Sequence, residues 1–464
     1  MRVPGRGKRR WLIVLIILAI AGGAGGTIAF AAPSLITDLV GPKPAPVLPG
    51  PRPVLGPLAN DAPLPSSKGL SAALDEAAKK VPGRFTGTVI DPASGKALWE
   101  RTPDKPQMPG STGKLLTAAA ALLALNPTDS FVTRAVAAPD PGTVVLVGGG
   151  DPTLTALPEN TKGVYPSPSR LTDLAKKVKD AMPGGVKRVV VDLSRYKGPK
   201  LADGWNASDV ATGYVTPIEP LMVDGGRIDP TQQDTPRVDN PGITAGKAFA
   251  KLVGADPDTV QVGTADPNAK KLGAVASAPF SALVEHTLRS SDNVLAEALA
   301  REVAIARNGE PSFRGAVDNV LAALKQAGFD VTGAVMSDGS GLSTDDRVPA
   351  KLLGALVAAA AAPAQGEHDP EFLRPIITGL PVAGGDGTLG EHGRFDKGTE
   401  AASGRGIVRA KTGTLTGVTS LAGVVTDSDG RLLVFALMSN GASPADVRPR
   451  LDALAAELGR CGCQ

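Results

Sequence analysis

Strand-forming sequence stands at both ends of the foldable part of this 464-residue chain, and helix-forming sequence stands between them. Near the start, residues 85–90 and 96–101 flank Asp91-Pro92-Ala93-Ser94-Gly95, a turn sequence, and read as a strand pair. Near the end, 407–415, 418–426 and 431–439 read as three consecutive strands. Their short links, Asp427-Ser428-Asp429-Gly430 among them, imply an antiparallel meander. Helices are expected over 70–80, over 111–125, which is rich in Ala and Leu, and over 444–458. The pattern suggests one sheet completed by distant parts of the chain, an α+β arrangement. With aromatics at only 3 %, the cores must be built mainly from Ala, Val and Leu.

The middle of the chain changes character. Residues 134–275 are rich in Pro, Gly and Asp, with short Val-rich strand candidates at 143–147, 186–191 and 259–262. This stretch reads as a β-rich insertion that divides the outer domain into 67–133 and 276–464.

The N-terminal portion is of another kind. Five basic residues fall within the first ten, leaving the rest of the chain at a net −2 against +3 overall. No charge interrupts residues 11–32, long enough to span a bilayer at about 20 residues. Basic residues before an apolar stretch orient the remainder outward. Two readings of 1–32 stay open: an uncleaved membrane anchor, or a signal segment cleaved near Ala29-Phe30-Ala31. Residues 33–66 hold ten prolines, a density that builds neither helix nor central strand and favours an extended spacer.

A near-neutral, aromatic-poor body argues against nucleic-acid binding. Two cysteines and three histidines without paired spacing argue against a structural zinc site, and no cofactor is implied. His286, His368 and His392 read as surface or loop residues. Cys461 and Cys463 read either as a short bridge or as a free pair on the tail.

Three short motifs carry chemistry. Ser111-Thr112-Gly113-Lys114 opens the Ala/Leu helix; i and i+3 share a helix face, so hydroxyl and amine can meet. A lysine against apolar walls loses hydration, its pKa falls, and it can accept the proton of a poor nucleophile. Ser291-Asp292-Asn293 opens a second helical run. Lys411-Thr412-Gly413 lies in the first strand of the C-terminal meander, where Lys and Thr can hold a carboxylate and Gly admits a substrate backbone. At a sheet edge, that strand could pair an extended peptide. Each motif alone also fits an ordinary element, as a helix cap or a surface lysine.

In this order the three motifs resemble the signature of class A β-lactamases and penicillin-binding proteins. Lys114 and Ser291 stand 177 positions apart, more than a compact β-lactamase core needs. The chain resembles the D-alanyl-D-alanine carboxypeptidase/endopeptidase family of class C low-molecular-mass penicillin-binding proteins, which carry extra domains there. The segments 148–154 (GGGDPTL), 338–343 (DGSGLS) and 380–389 (LPVAGGDGTL) are also similar to that family. The resemblance implies a serine DD-peptidase/β-lactamase-like fold, an antiparallel sheet flanked by helices plus an all-helical region. It implies Ser111 as nucleophile, Lys114 as its base, and Ser291, Asn293 and Lys411 in proton relay and substrate positioning. Thr412 would hold the terminal carboxylate with Lys411, beside Gly413, and Thr414 would give an oxyanion-hole N–H. The expected partners are peptidoglycan stem peptides, β-lactams as inhibitors and, through residues 1–32, the cytoplasmic membrane. The alternatives are a non-catalytic wall-associated penicillin-binding protein, or a β-lactamase or esterase of the same fold.

Overall fold

The alternating apolar residues of the two chain ends meet in one antiparallel sheet. In the computed structural model, which describes residues 62–363 and 370–464, β1 (Arg84–Ile90) pairs along its length with β10 (Leu432–Asn440). β2 (Ala97–Arg101) flanks β1, while β9 (Val418–Thr426) and β8 (Val408–Leu415) continue the meander, giving the order β2-β1-β10-β9-β8. The strand carrying Lys411-Thr412-Gly413 therefore lies at the sheet edge, the condition for pairing an extended peptide.

Each sheet face buries a separate core. On one face α1 (Ser67–Lys79) and α9 (Pro444–Arg460) pack Leu70, Leu74, Leu451 and Leu454 against Leu433 and Phe435. On the other, α8 (Ala350–Ala361) lies on β1 and β10. Behind it gather α2 (Lys114–Ala124), α5 (Phe280–Ser290), α6 (Asn293–Ala306) and α7 (Phe313–Gln326). Buried alanines, Ala118–Ala121 on α2 and Ala298 and Ala300 on α6, keep these helices close. Small side chains at the crossings compensate for the scarcity of aromatics, because close packing is what fills an interior.

A second sheet runs in the order β6-β5-β4-β3-β7. Its strands are β3 (Val132–Ala137), β4 (Thr143–Val147), β5 (Arg188–Asp192), β6 (Gln261–Gly263) and β7 (Lys271–Ala276). β4, β5 and β6 are parallel; β3 is antiparallel to both its neighbours. Parallel neighbours need crossovers. Here α3 (Leu171–Ala181) and α4 (Pro241–Val253) supply them, covering Val144, Leu146, Val189 and Val191 with Leu174, Val178, Ala245 and Phe249. Residues 134–275 thus carry two α-helices beside their strands, which their Pro/Gly/Asp-rich composition conceals. The Gly148-Gly149-Gly150 turn after β4 is a packing device: a Cβ on Gly149 would lie 2.0 Å from the Val132 carbonyl oxygen.

Cys461 and Cys463 are joined in a disulfide, so the free pair is set aside. The Cys463 carbonyl accepts the Ser66 N–H at 2.7 Å, tying the tail to the start of α1. The predicted anchor or signal segment, nearly all of the Pro-rich spacer, and His368 lie outside the described residues. Among the described residues no helix is long and apolar enough to cross a membrane.

Candidate active site

The expected helix at 111–125 begins differently from a regular α-helix. Gly110–Gly113 form a 3-10 turn, and Lys114 is the first residue of α2. In a 3-10 turn residues i and i+3 eclipse, which sets Lys114 directly over Ser111. The Lys114 Nζ lies 2.9 Å from the Ser111 Oγ, 2.5 Å from the Asn293 Oδ1 and 2.8 Å from the Ser340 carbonyl oxygen. Two of these three are carbonyl oxygens, which only accept. A neutral amine bound to them spends both its hydrogens and turns its lone pair toward the Ser111 hydroxyl. That is the arrangement a general base requires.

Ser291 caps α5 in the left-handed region at φ 58°, and Asp292 caps α6 by accepting the Leu295 N–H at 2.8 Å. The tight reversal places Ser291 and Asn293 on one site from two helices. Asn293 uses its two ends separately: its oxygen takes Lys114 and its Nδ2 donates to the Tyr214 carbonyl at 2.9 Å. Across the site the Lys411 Nζ donates to the Ser291 Oγ and to the Thr412 carbonyl oxygen, both at 2.8 Å.

The edge strand faces this cluster. The Ala410 N–H points off the sheet to the Pro381 carbonyl at 3.0 Å. Residues of the same parity, Thr412 and Thr414, therefore turn their N–H groups to the same open edge, beyond the stretch that Pro381 covers. A Cβ on Gly110 would lie 3.1 Å from the Thr414 nitrogen, so that N–H and the start of the Ser111 turn are adjacent. The Thr412 hydroxyl bonds the Thr388 hydroxyl at 2.7 Å.

Burial governs the electrostatics. Lys114 is fully buried, and desolvation lowers its pKa to about 8 against the opposing pull of Asp338, Asp292, Glu297 and Asp346. Lys411 is lowered well below the usual lysine range by burial, then by Lys114 and Arg394, so the two amines feel one another. The behaviour with pH follows. Below about 8 the Lys114 amine is protonated and cannot accept from Ser111, so the rate of serine acylation should fall about tenfold per pH unit there and level off above. Stopped-flow acylation by a chromogenic β-lactam across pH 6–9.5 checks this; a flat profile would exclude Lys114 as the base. The same shift makes the unfolded chain bind more protons than the native one between about 8 and 10.5, so this group's destabilising effect shrinks as pH rises through that window.

All the sequence-predicted residues converge. Ser111, Lys114 and Asn293 form one network, Ser291 and Lys411 a second, and Thr412, Gly413 and Thr414 line the strand beside them. The sequence reading assigned no role to the Ser340 carbonyl, the Tyr214 carbonyl or Thr388; a backbone oxygen leaves no signature in residue identity. Asp338 organises Ser340, accepting the N–H groups of Ser340, Gly341 and Ser343 within 3.0 Å. His392 is exposed, whereas His286 departs from expectation: it lies within α5, partly buried against the Tyr165 ring. Among the described residues no group of acidic, His and Cys side chains could hold a metal ion.

Known proteins agree with this architecture. Residues 70–236 and 231–459 match the D-Ala-D-Ala carboxypeptidase 3 (S13) family. A carboxypeptidase of Mycobacterium tuberculosis is 43 % identical over 427 residues, 91 % of this chain and 90 % of that one. The carboxypeptidase DacB of Mycolicibacterium smegmatis is 42 % identical over 461 residues, 97 % of this chain and 96 % of that one. The crystal structure of penicillin binding protein 4 from Haemophilus influenzae superposes with a TM-score of 0.68 at 19 % identity, covering 83 % of this chain and 99 % of that one, a likeness of fold. By family match and by relatives spanning nearly its whole length, the chain belongs to the D-Ala-D-Ala carboxypeptidase 3 (S13) family.

Proposed function

We propose that this chain is a serine-type D-Ala-D-Ala carboxypeptidase that acts on peptidoglycan stem peptides and is acylated by β-lactams. The observation that carries the reading is the buried Lys114 amine, held by two carbonyl oxygens with its remaining valence toward Ser111. The Ser111 Oγ attacks the carbonyl between the two D-alanines while its proton passes to Lys114. The oxyanion is held by the Ser111 and Thr414 N–H groups. The C–N bond then breaks, the amine taking a proton relayed through Ser291 and Lys411, and D-alanine leaves. Water hydrolyses the ester and frees Ser111. Lys411 and Thr412 hold the terminal carboxylate. Two relatives named as carboxypeptidases, and a β-lactam complex of the Haemophilus influenzae penicillin binding protein 4, support the reaction class and the inhibitor.

Residues 134–275 serve, in this reading, as an inserted domain framing the catalytic centre. Residues 1–32 direct export as anchor or leader, which suits a substrate outside the membrane. The test uses the purified protein with a synthetic stem pentapeptide ending in D-Ala-D-Ala. Mass spectrometry should find free D-alanine and the tetrapeptide, and a penicillin adduct on the peptide that contains Ser111. Binding without D-alanine release would leave a non-catalytic penicillin-binding protein, and rapid penicillin turnover without a lasting adduct would favour a β-lactamase.

A further inference from the structure

The inserted stretch reaches into the Ser291-Asp292-Asn293 triplet at its middle residue. Asp292 has a side chain 2 % exposed, and one of its oxygens is spent on the cap of α6. The other accepts the Tyr165 hydroxyl at 3.0 Å and the Arg227 guanidinium at 3.3 Å. Arg227, whose side chain is wholly buried, lies over the Tyr165 ring at 5.0 Å and also donates to the carbonyls of Asp224 and Gln233. Burial would raise the Asp292 pKa, but Arg227 and then Arg237 hold it well below the usual carboxylate range. Arg237 in turn donates to the Gly213 carbonyl at 2.9 Å, one residue before the Tyr214 carbonyl that takes Asn293.

These contacts bracket two residues of the proposed reaction. Ser291 holds φ 58°, a conformation uncommon for residues with a side chain and held at a cost in energy. Its immediate neighbour is the clamped carboxylate. Asn293, on the other side, must keep its oxygen on Lys114. We propose that Arg227 and Tyr165 are positioning residues for the acyl transfer: by clamping the Asp292 carboxylate they hold Ser291 toward Lys411 and Asn293 toward Lys114. The inference rests on the reaction proposed above.

A second grip on the same helix supplies an internal comparison. Further along α6, Glu302 accepts the Arg195 Nε at 2.9 Å and the Tyr196 hydroxyl at 3.3 Å. Both grips tie the insertion to α6, but only the Asp292 grip adjoins reacting groups.

The experiment compares Arg227→Met, Arg227→Lys, Tyr165→Phe and Arg195→Met in the full chain. It measures acylation by a fluorescent penicillin, kcat and KM for D-alanine release, and the thermal midpoint. Arg227→Met should slow acylation and lower kcat about 10²-fold, the scale of a misplacement near 1 Å, with KM changed far less. Arg227→Lys, keeping the charge, should recover most of the rate. Arg195→Met should lower the midpoint yet acylate at the wild-type rate. Wild-type acylation by Arg227→Met, or equal slowing by Arg195→Met, would overturn the proposal by making the clamp structural only. If Arg227→Met does not fold, Tyr165→Phe carries the test, since it removes one hydroxyl and no charge: several-fold slower acylation supports the clamp, and an unchanged rate overturns it. A wild-type protein that neither takes penicillin nor releases D-alanine would instead sink the underlying reaction.

Discussion

Lys114→Met should abolish serine acylation, lowering its rate by about 10⁴-fold or more, while the protein stays folded. Methionine nearly matches the lysine stem in length and removes only the amine. The side chain is fully buried, so the substitution also removes a group that burial disfavours in its charged form. Against that, the Asn293 Oδ1 and the Ser340 carbonyl each lose a donor, at about 1–3 kcal/mol for a buried unsatisfied group. Stability is thus expected to change by a few kcal/mol at most, far less than the rate. Lys114→Arg should not rescue, because a guanidinium stays protonated at any working pH and offers no lone pair. Ser111→Ala should be equally inert, and the double variant no worse than either single one, since nucleophile and base act as one unit. Intact-mass measurement of penicillin adducts over hours reads all four variants. Acylation of Lys114→Met within tenfold of wild type would show that another group takes the proton.

The outer sheet was legible because its signals are local. The turns at 91–95 and 427–430 have the composition of turns, and the meander strands match the observed β8, β9 and β10 to within a residue or so. The inserted stretch was less so. β3 and β7 close the second sheet from positions about 140 apart, and such pairing leaves no mark at either end alone. Of the candidate site, the side chains proposed to react or bind were named from the motifs and the family they resemble, whereas the groups that hold them were not. The Ser340 oxygen belongs to the backbone. Arg227 meets Asp292 across 65 positions with no periodicity to announce it. The 3-10 start of the Ser111 turn was hidden too, because S-x-x-K fits an α-helical face equally well and does not show the contact that this turn makes with the edge strand.

That contact yields the second large effect. Gly413→Ala should cut the acylation rate about 10²-fold through displacement of the nucleophile turn, with no loss of any reactive group. A Cβ at Gly413 would stand 2.2 Å from the Ser420 Oγ, 2.4 Å from the Pro109 carbonyl oxygen and 3.0 Å from the Thr112 nitrogen. Two of those atoms are backbone of the segment that carries Ser111, and that segment is pinned. Thr112 and Ser420 both donate to the Pro109 carbonyl, at 2.7 and 2.5 Å. The side-chain clash and the backbone clash can be separated. Ser420→Ala alone removes one hydroxyl from the pin and should slow acylation only modestly. Added to Gly413→Ala it clears the hydroxyl but leaves the Pro109 oxygen in the way, so the double variant should remain about as slow as Gly413→Ala. Recovery to near the wild-type rate in the double variant would mean that the hydroxyl alone was obstructed and the turn had never moved. Persistent slowness, with the Lys114 pH profile unshifted, would locate the loss in the distance between the Ser111 turn and the edge strand, where substrate must be held while the hydroxyl attacks.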